Sequence, residues 1–150
     1  MPHRIYQGSE PPAWWDPILA HPFELLTAAY GVVGGTLATL VVIDGRSISE
    51  STAALPAPFT VAMLAMLVLG GLLTWVGLLD HGPDLMRGWT RERMGLALTA
   101  SGWAIYTLTI VASYPGSLLA WGIGATFAAS STLRLVATYR EEWATRRAIQ

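Results

Sequence analysis

The chain contains no cysteine, which excludes disulfides, zinc–thiolate sites and thiol catalysis. It also lacks lysine: all nine basic side chains are arginine, a composition expected of GC-rich coding. Charged residues are scarce, 13% of the chain, where a soluble domain carries about 25%. The net charge of −1 and the absence of a basic block give no footprint for nucleic acid. No Walker loop, Gly-x-Ser-x-Gly, HExxH, intramembrane Ser–Lys pair or paired aspartates occurs, so neither an enzyme nor a cofactor is expected. A secretory signal is missing too. The opening stretch, MPHRIYQGSEPPAWWDPILAHPFE, is mixed and proline-rich, and is expected to be retained.

What the chain does have is apolar length. Its 150 residues suit one domain; they are 53% hydrophobic, with a mean hydropathy of +0.45. A bilayer core about 30 Å thick needs roughly 20 apolar residues per helix. Four segments qualify: 25–43, 59–79, 94–112 and 117–138. Arg134 is the only charge inside them. The sequence therefore predicts an all-α membrane protein, a bundle of four transmembrane helices spanning 25–138. An interfacial segment (1–24) precedes it and a charged tail (139–150) follows.

Arginine placement sets the direction, because cytoplasmic loops are enriched in basic residues. With both termini cytoplasmic, eight arginines lie inside and only Arg46 outside. The reverse orientation violates the rule. Trp75, Trp89, Tyr139 and Trp143 then fall near the inner boundary, and Tyr114 and Trp121 near the outer one, as interfacial aromatics should. Trp14 and Trp15 would lie on the inner surface.

Helices in lipid associate through small residues that let backbones approach. Each segment carries such a stripe at helical spacing. The first has Thr27, Gly31, Gly34 and Ala38, and the second Gly70, Thr74 and Gly77. The third has Gly95, Thr99, Gly102, Tyr106, Thr109 and Ser113; the fourth has Gly122, Ala125, Ala129 and Thr132. These faces either close the bundle on itself or meet neighbouring copies. If one face meets neighbouring copies or lines a pore, the third segment's, with the longest stripe, is the best candidate.

Polar candidates are few. Asp80, His81 and Asp84 have donor types suited to a metal or proton site, but Gly82 and Pro83 between them mark a turn that stops a helix. Arg87, Arg91 and Arg93, with Arg140, are placed to fix topology and to meet anionic headgroups, at about 1 kcal/mol each. Glu24 at the mouth of the first segment is a candidate proton or cation coupler; its plainer role is to favour a helix N-terminus. Arg87 and Arg140 are its expected partners. At a bilayer centre Arg134 would cost about 2.5–3.5 kcal/mol. Close to the end of its segment, it is expected to reach the inner headgroups. The stretch YREEWATRR (139–147) reads as a solvated helix end or a partner-docking tail.

The segments HPFELL (21–26), GGLLTWVGLL (70–79) and ERMGLALTASGWAIY (92–106), with the short arginine-rich tail, resemble the small four-span, holin-like membrane proteins of actinobacterial phages. The resemblance implies a protein that accumulates in the host's bacterial cytoplasmic membrane, forms homo-oligomers there and permeabilises it during lysis, with no catalytic residue. The tail departs from the strongly basic tail frequent in holins, since Glu141 and Glu142 stand beside Arg140. A non-pore membrane interaction protein is the alternative: an accessory lysis factor, a superinfection-exclusion protein or a small subunit of a membrane complex. A small transporter would have to rely on Glu24.

Overall fold

In the computed structural model, residues 21–80 and 85–149 are described. The interfacial segment through residue 20, His81 and Asp84 lie outside them. The described residues are helical, with no strand. α1 spans Pro22–Ile43, α2 Glu50–Ala53, α3 Ala57–Leu79, α4 Leu85–Ser113 and α5 Leu118–Ile149.

α1 starts three residues before the apolar run, because Pro22 at its first position has φ already fixed for a helix and no N–H to satisfy. It ends where Gly45 adopts φ +73 and Arg46 N–H turns back onto the Val41 carbonyl. The following loop contains a single turn, α2, capped at both ends of one box. Ser49 Oγ accepts from Thr52 N–H at 3.3 Å, and Thr52 Oγ1 accepts from Ser49 N–H at 2.9 Å. α2 rests on α4, and Tyr114 donates to the Glu50 carboxylate.

α1, α3 and α4 (from Met86) are each long and apolar enough to cross a membrane. α5 begins equally apolar, but Ser130, Ser131, Thr132 and Arg134 dilute its middle. Its 32 residues extend about 48 Å at 1.5 Å per residue, so the stretch 139–147 continues the fourth helix, as its charge pattern suggests. α4 likewise starts nine residues ahead of the expected span.

Neighbouring helices run antiparallel in the order α1–α3–α4–α5, each packed on the next. Glycines set the distances. A methyl built on Gly71 would fall 2.5 Å from the Ala28 carbonyl, and one on Gly31 3.0 Å from that of Leu67. Between α3 and α4, one on Gly70 would fall 2.6 Å from Thr99 Oγ1, and one on Gly102 2.8 Å from Leu67 Cδ2. Gly95 lies against Thr74, and Gly77 against Glu92. The small-residue faces of the second and third segments therefore close on each other within one chain. Gly34 stands beside its own Tyr30, and Gly35 occupies the α1–α3 seam against Val68; Ala38 is half-buried.

α5 differs more. Its inward residues are Ser131, Arg134, Thr138 and Glu142, whereas Ala129 and Thr132 are exposed and Gly122 has nothing near it. Of the stripe read there from sequence, Ala129 and Thr132 face outward, and Gly122 and Ala125 are half-buried. α4 meets α5 instead through Gly124, which admits Thr107 and Tyr106. Trp103 centres the core, 4.8 Å from the Phe127 ring and 5.6 Å from those of Tyr30 and Tyr106. α1 and α5 touch only sparsely, so the helices form an arc left open along that edge.

Candidate functional site

Charge concentrates at one end of the arc, where α1 and α4 begin and α3 and the apolar part of α5 end. Arg134 is the hub. Its Nε lies 2.9 Å from Glu92 Oε1 on α4 and 3.8 Å from Glu24 Oε1 on α1. Its Nη1 lies 3.7 Å from Glu141 Oε1, and its Nη2 is 3.5 Å from His21 Nε2. The Arg134 side chain is only 14% exposed and that of Glu92 5%. Instead of reaching outward to headgroups, Arg134 turns inward. A buried carboxylate at the same level binds it in a low-dielectric setting, where leaving either group alone would be costly.

A second tier lies two turns further along α5. Glu142 accepts from Arg93 and from Arg146, whose Nε and Nη2 lie 2.9 and 2.6 Å from Oε1. The Arg93 guanidinium also sits 4.7 Å above the Tyr139 ring. At the margin, Arg91 binds Asp80 at 2.7 Å, tying α4 to the end of α3. Thus Arg91, Arg93 and Arg134 all engage carboxylates of this chain, and Arg140 is exposed. Glu24 meets Arg134 in place of the expected Arg87 or Arg140.

The electrostatics follow from this crowding. Burial, and then the positive Arg134, hold His21 below the ordinary histidine value, so its ring is neutral at pH 7. The Arg146 hydrogen bond, helped by Arg93, holds the Glu142 carboxyl below the usual carboxylate range.

Beside the hub, a cavity of about 310 Å³ reaches in among α1, α3, α4 and α5. Glu24, Thr27, Thr74, Thr99, Ser130, Ser131 and Arg134 bring its polar groups, and Phe23, Leu96 and Leu133 part of its apolar wall. Further along the open edge, Phe23, Leu118, Leu119, Gly122, Ile123, Thr126 and Phe127 line an apolar groove between α1 and α5.

In the sequence Glu92 stands among the loop charges Arg87, Arg91 and Arg93, where it reads as part of a headgroup-facing cluster. Its signal as part of a site is that the third stripe, stepped back from Gly95 by one turn, lands on it. Among the described residues, no group of three or more His, Asp or Glu could hold a metal ion, and Asp80 is engaged by Arg91. His81 and Asp84, the other members of the suggested metal or proton trio, lie outside the described residues. Comparison with protein-family models, with curated proteins and with solved structures finds no match.

Proposed function

We propose that this chain is a holin-like, self-associating integral membrane protein that permeabilises the bacterial cytoplasmic membrane. It does so with four spans and both termini on the cytoplasmic side. α5 supplies the fourth span through residues 118–138, where Arg134 is the only charge and is neutralised internally. The ionic tiers then mark the cytoplasmic face.

The observation that carries this reading is the open edge of the arc. Leu118, Leu119 and Leu133 are 70, 81 and 71% exposed there, and Gly122 leaves room for close helix approach. A second copy set against that edge would cover these groups and enclose the polar cavity within the assembly.

A non-pore interaction protein is the second reading. It is favoured by the internal use of the small-residue faces on α3 and α4, which leaves only α5 with an unoccupied one. Inducible expression with a potential-sensitive dye separates the two. Abrupt depolarisation at a set time supports permeabilisation, and steady growth with abundant protein in the membrane rejects it. Gly102→Leu, an assembly test on sequence grounds, would instead break the α3–α4 seam. Gly122→Leu is the variant that addresses association; it should abolish depolarisation while the protein still accumulates.

A further inference from the structure

We propose that the cavity beside Arg134 binds a monovalent cation, with Glu24 and the hydroxyls of Thr27, Thr74, Thr99 and Ser130 as its oxygen donors. The cavity, at about 310 Å³, is roomy for solvent, whose share of liquid volume is about 30 Å³ per water. Apart from the Arg134 guanidinium, which only donates, its polar groups offer acceptor oxygens. Thr27 donates its own proton to the Phe23 carbonyl, Thr74 to that of Gly70 and Ser130 to that of Phe127. What these three hydroxyls still offer is oxygen lone pairs. Thr99 departs from the pattern. It lines the cavity and is 2% exposed, yet its Oγ1 has no hydrogen-bond partner. A buried polar atom left without a partner is uncommon and costly, and a cation or a water of its shell would satisfy it.

Charge decides the sign of the ligand. Arg134 faces three carboxylates within 4.0 Å, those of Glu92, Glu24 and Glu141. With the His21 ring neutral, the hub holds an excess of negative charge. An anion would meet that excess, and a cation relieves it. Donor chemistry decides the valence. Glu92 holds Arg134 at 2.9 Å, whereas Glu24 lies 3.8 Å from it and lines the cavity, so Glu24 is the carboxylate that serves the cavity among neutral hydroxyls. Calcium calls for about six to eight oxygen ligands and magnesium for near-ideal octahedral geometry with further anionic oxygens; one carboxylate among neutral hydroxyls matches the single charge of a sodium- or potassium-like ion. The inference stands whether or not the chain permeabilises membranes.

The test uses the full chain in nanodiscs of neutral lipid. Thermal unfolding is followed while sodium or potassium chloride replaces N-methylglucamine chloride at constant ionic strength. A ligand that binds only the folded state raises Tm in a saturable way. The expected result is a saturable rise with sodium or potassium and none with N-methylglucamine. Isothermal titration of the folded variants with the same salts gives the second readout. Glu24→Gln and the near-isosteric Thr99→Val should each weaken binding at least tenfold, while Thr132→Val on the exposed face should bind as the parent does. Equal Tm in all three cations overturns the proposal. So does a response that follows the anion when chloride is exchanged for sulfate at fixed sodium, or parent-like binding by both cavity variants.

Discussion

Adding one methyl group to Gly70 should cost stability, whereas adding it to Gly122 should not. At Gly70 the new carbon would fall 2.6 Å from Thr99 Oγ1, 2.7 Å from Thr99 N and 2.9 Å from the Gly95 carbonyl. Two of these are backbone atoms of a packed helix and cannot rotate away. Relief requires α3 and α4 to separate by nearly an ångström, which disturbs the neighbouring approaches at Gly95 and Gly77. Overpacking of this kind costs about 1–3 kcal/mol. The better helix propensity of alanine offsets up to about 1 kcal/mol in water and is the same at both sites. A methyl on Gly122 meets nothing within 4 Å. Gly70→Ala should therefore be less stable than Gly122→Ala by about 1–3 kcal/mol. Unfolding in mixed micelles, titrated with a denaturing detergent and followed by circular dichroism, measures the difference. Equal stabilities would refute the assignment of Gly70 to a tight internal seam and of Gly122 to an open face.

Arg134→Leu should destabilise the chain by about 3–5 kcal/mol, because it strands a buried Glu92 carboxylate. Combining it with Glu92→Gln should recover part of that loss, and Arg140→Leu at an exposed position should cost far less; the same detergent titration compares them. Acidification should lower Tm in two steps. His21 is held below its ordinary value of 6.5, so as pH falls through about 6.5 the unfolded chain takes up a proton that the folded chain refuses. Stability is lost there, and His21→Gln should flatten that step. The depressed Glu142 carboxyl stabilises the fold above its ordinary value of 4.5 and ceases to do so as pH falls further, so Glu142→Gln should flatten the lower step. Melting curves between pH 3.5 and 7.5 check both.

The apolar runs made the helices legible, since length and the absence of charge are local properties. Glycine and threonine at spacings of three and four mark faces of α3 and α4 suited to close approach, but spacing alone does not say whether such a face meets its own chain or another copy. On α5 the same rule points partly outward. Gly122, Ala125 and Ala129 are small, but the face that packs carries Ser131, Arg134, Thr138 and Glu142, whose polarity serves the ionic tiers. A periodicity of small residues does not reveal that partners of opposite charge wait on α4. The inward turn of Arg134 is hidden for the same reason: the sequence shows its distance from the end of its own helix and not the level of Glu92 and Glu24. Pairing across helices depends on register, which is fixed only when the seams are packed. The cavity arises from the loose meeting of α1 and α5, a property of no single segment.

Self-association through the open edge can be tested by single-cysteine crosslinking, which the cysteine-free chain makes straightforward. Cysteine is placed either at Gly122, on the bare face of α5, or at Leu72, 43% exposed on α3, and the protein is oxidised in native membranes. Gly122→Cys should give disulfide-linked species of two copies, and Leu72→Cys should remain monomeric at the same expression level. Absence of crosslinking at Gly122, or equal crosslinking at both positions, would contradict association of copies through that face.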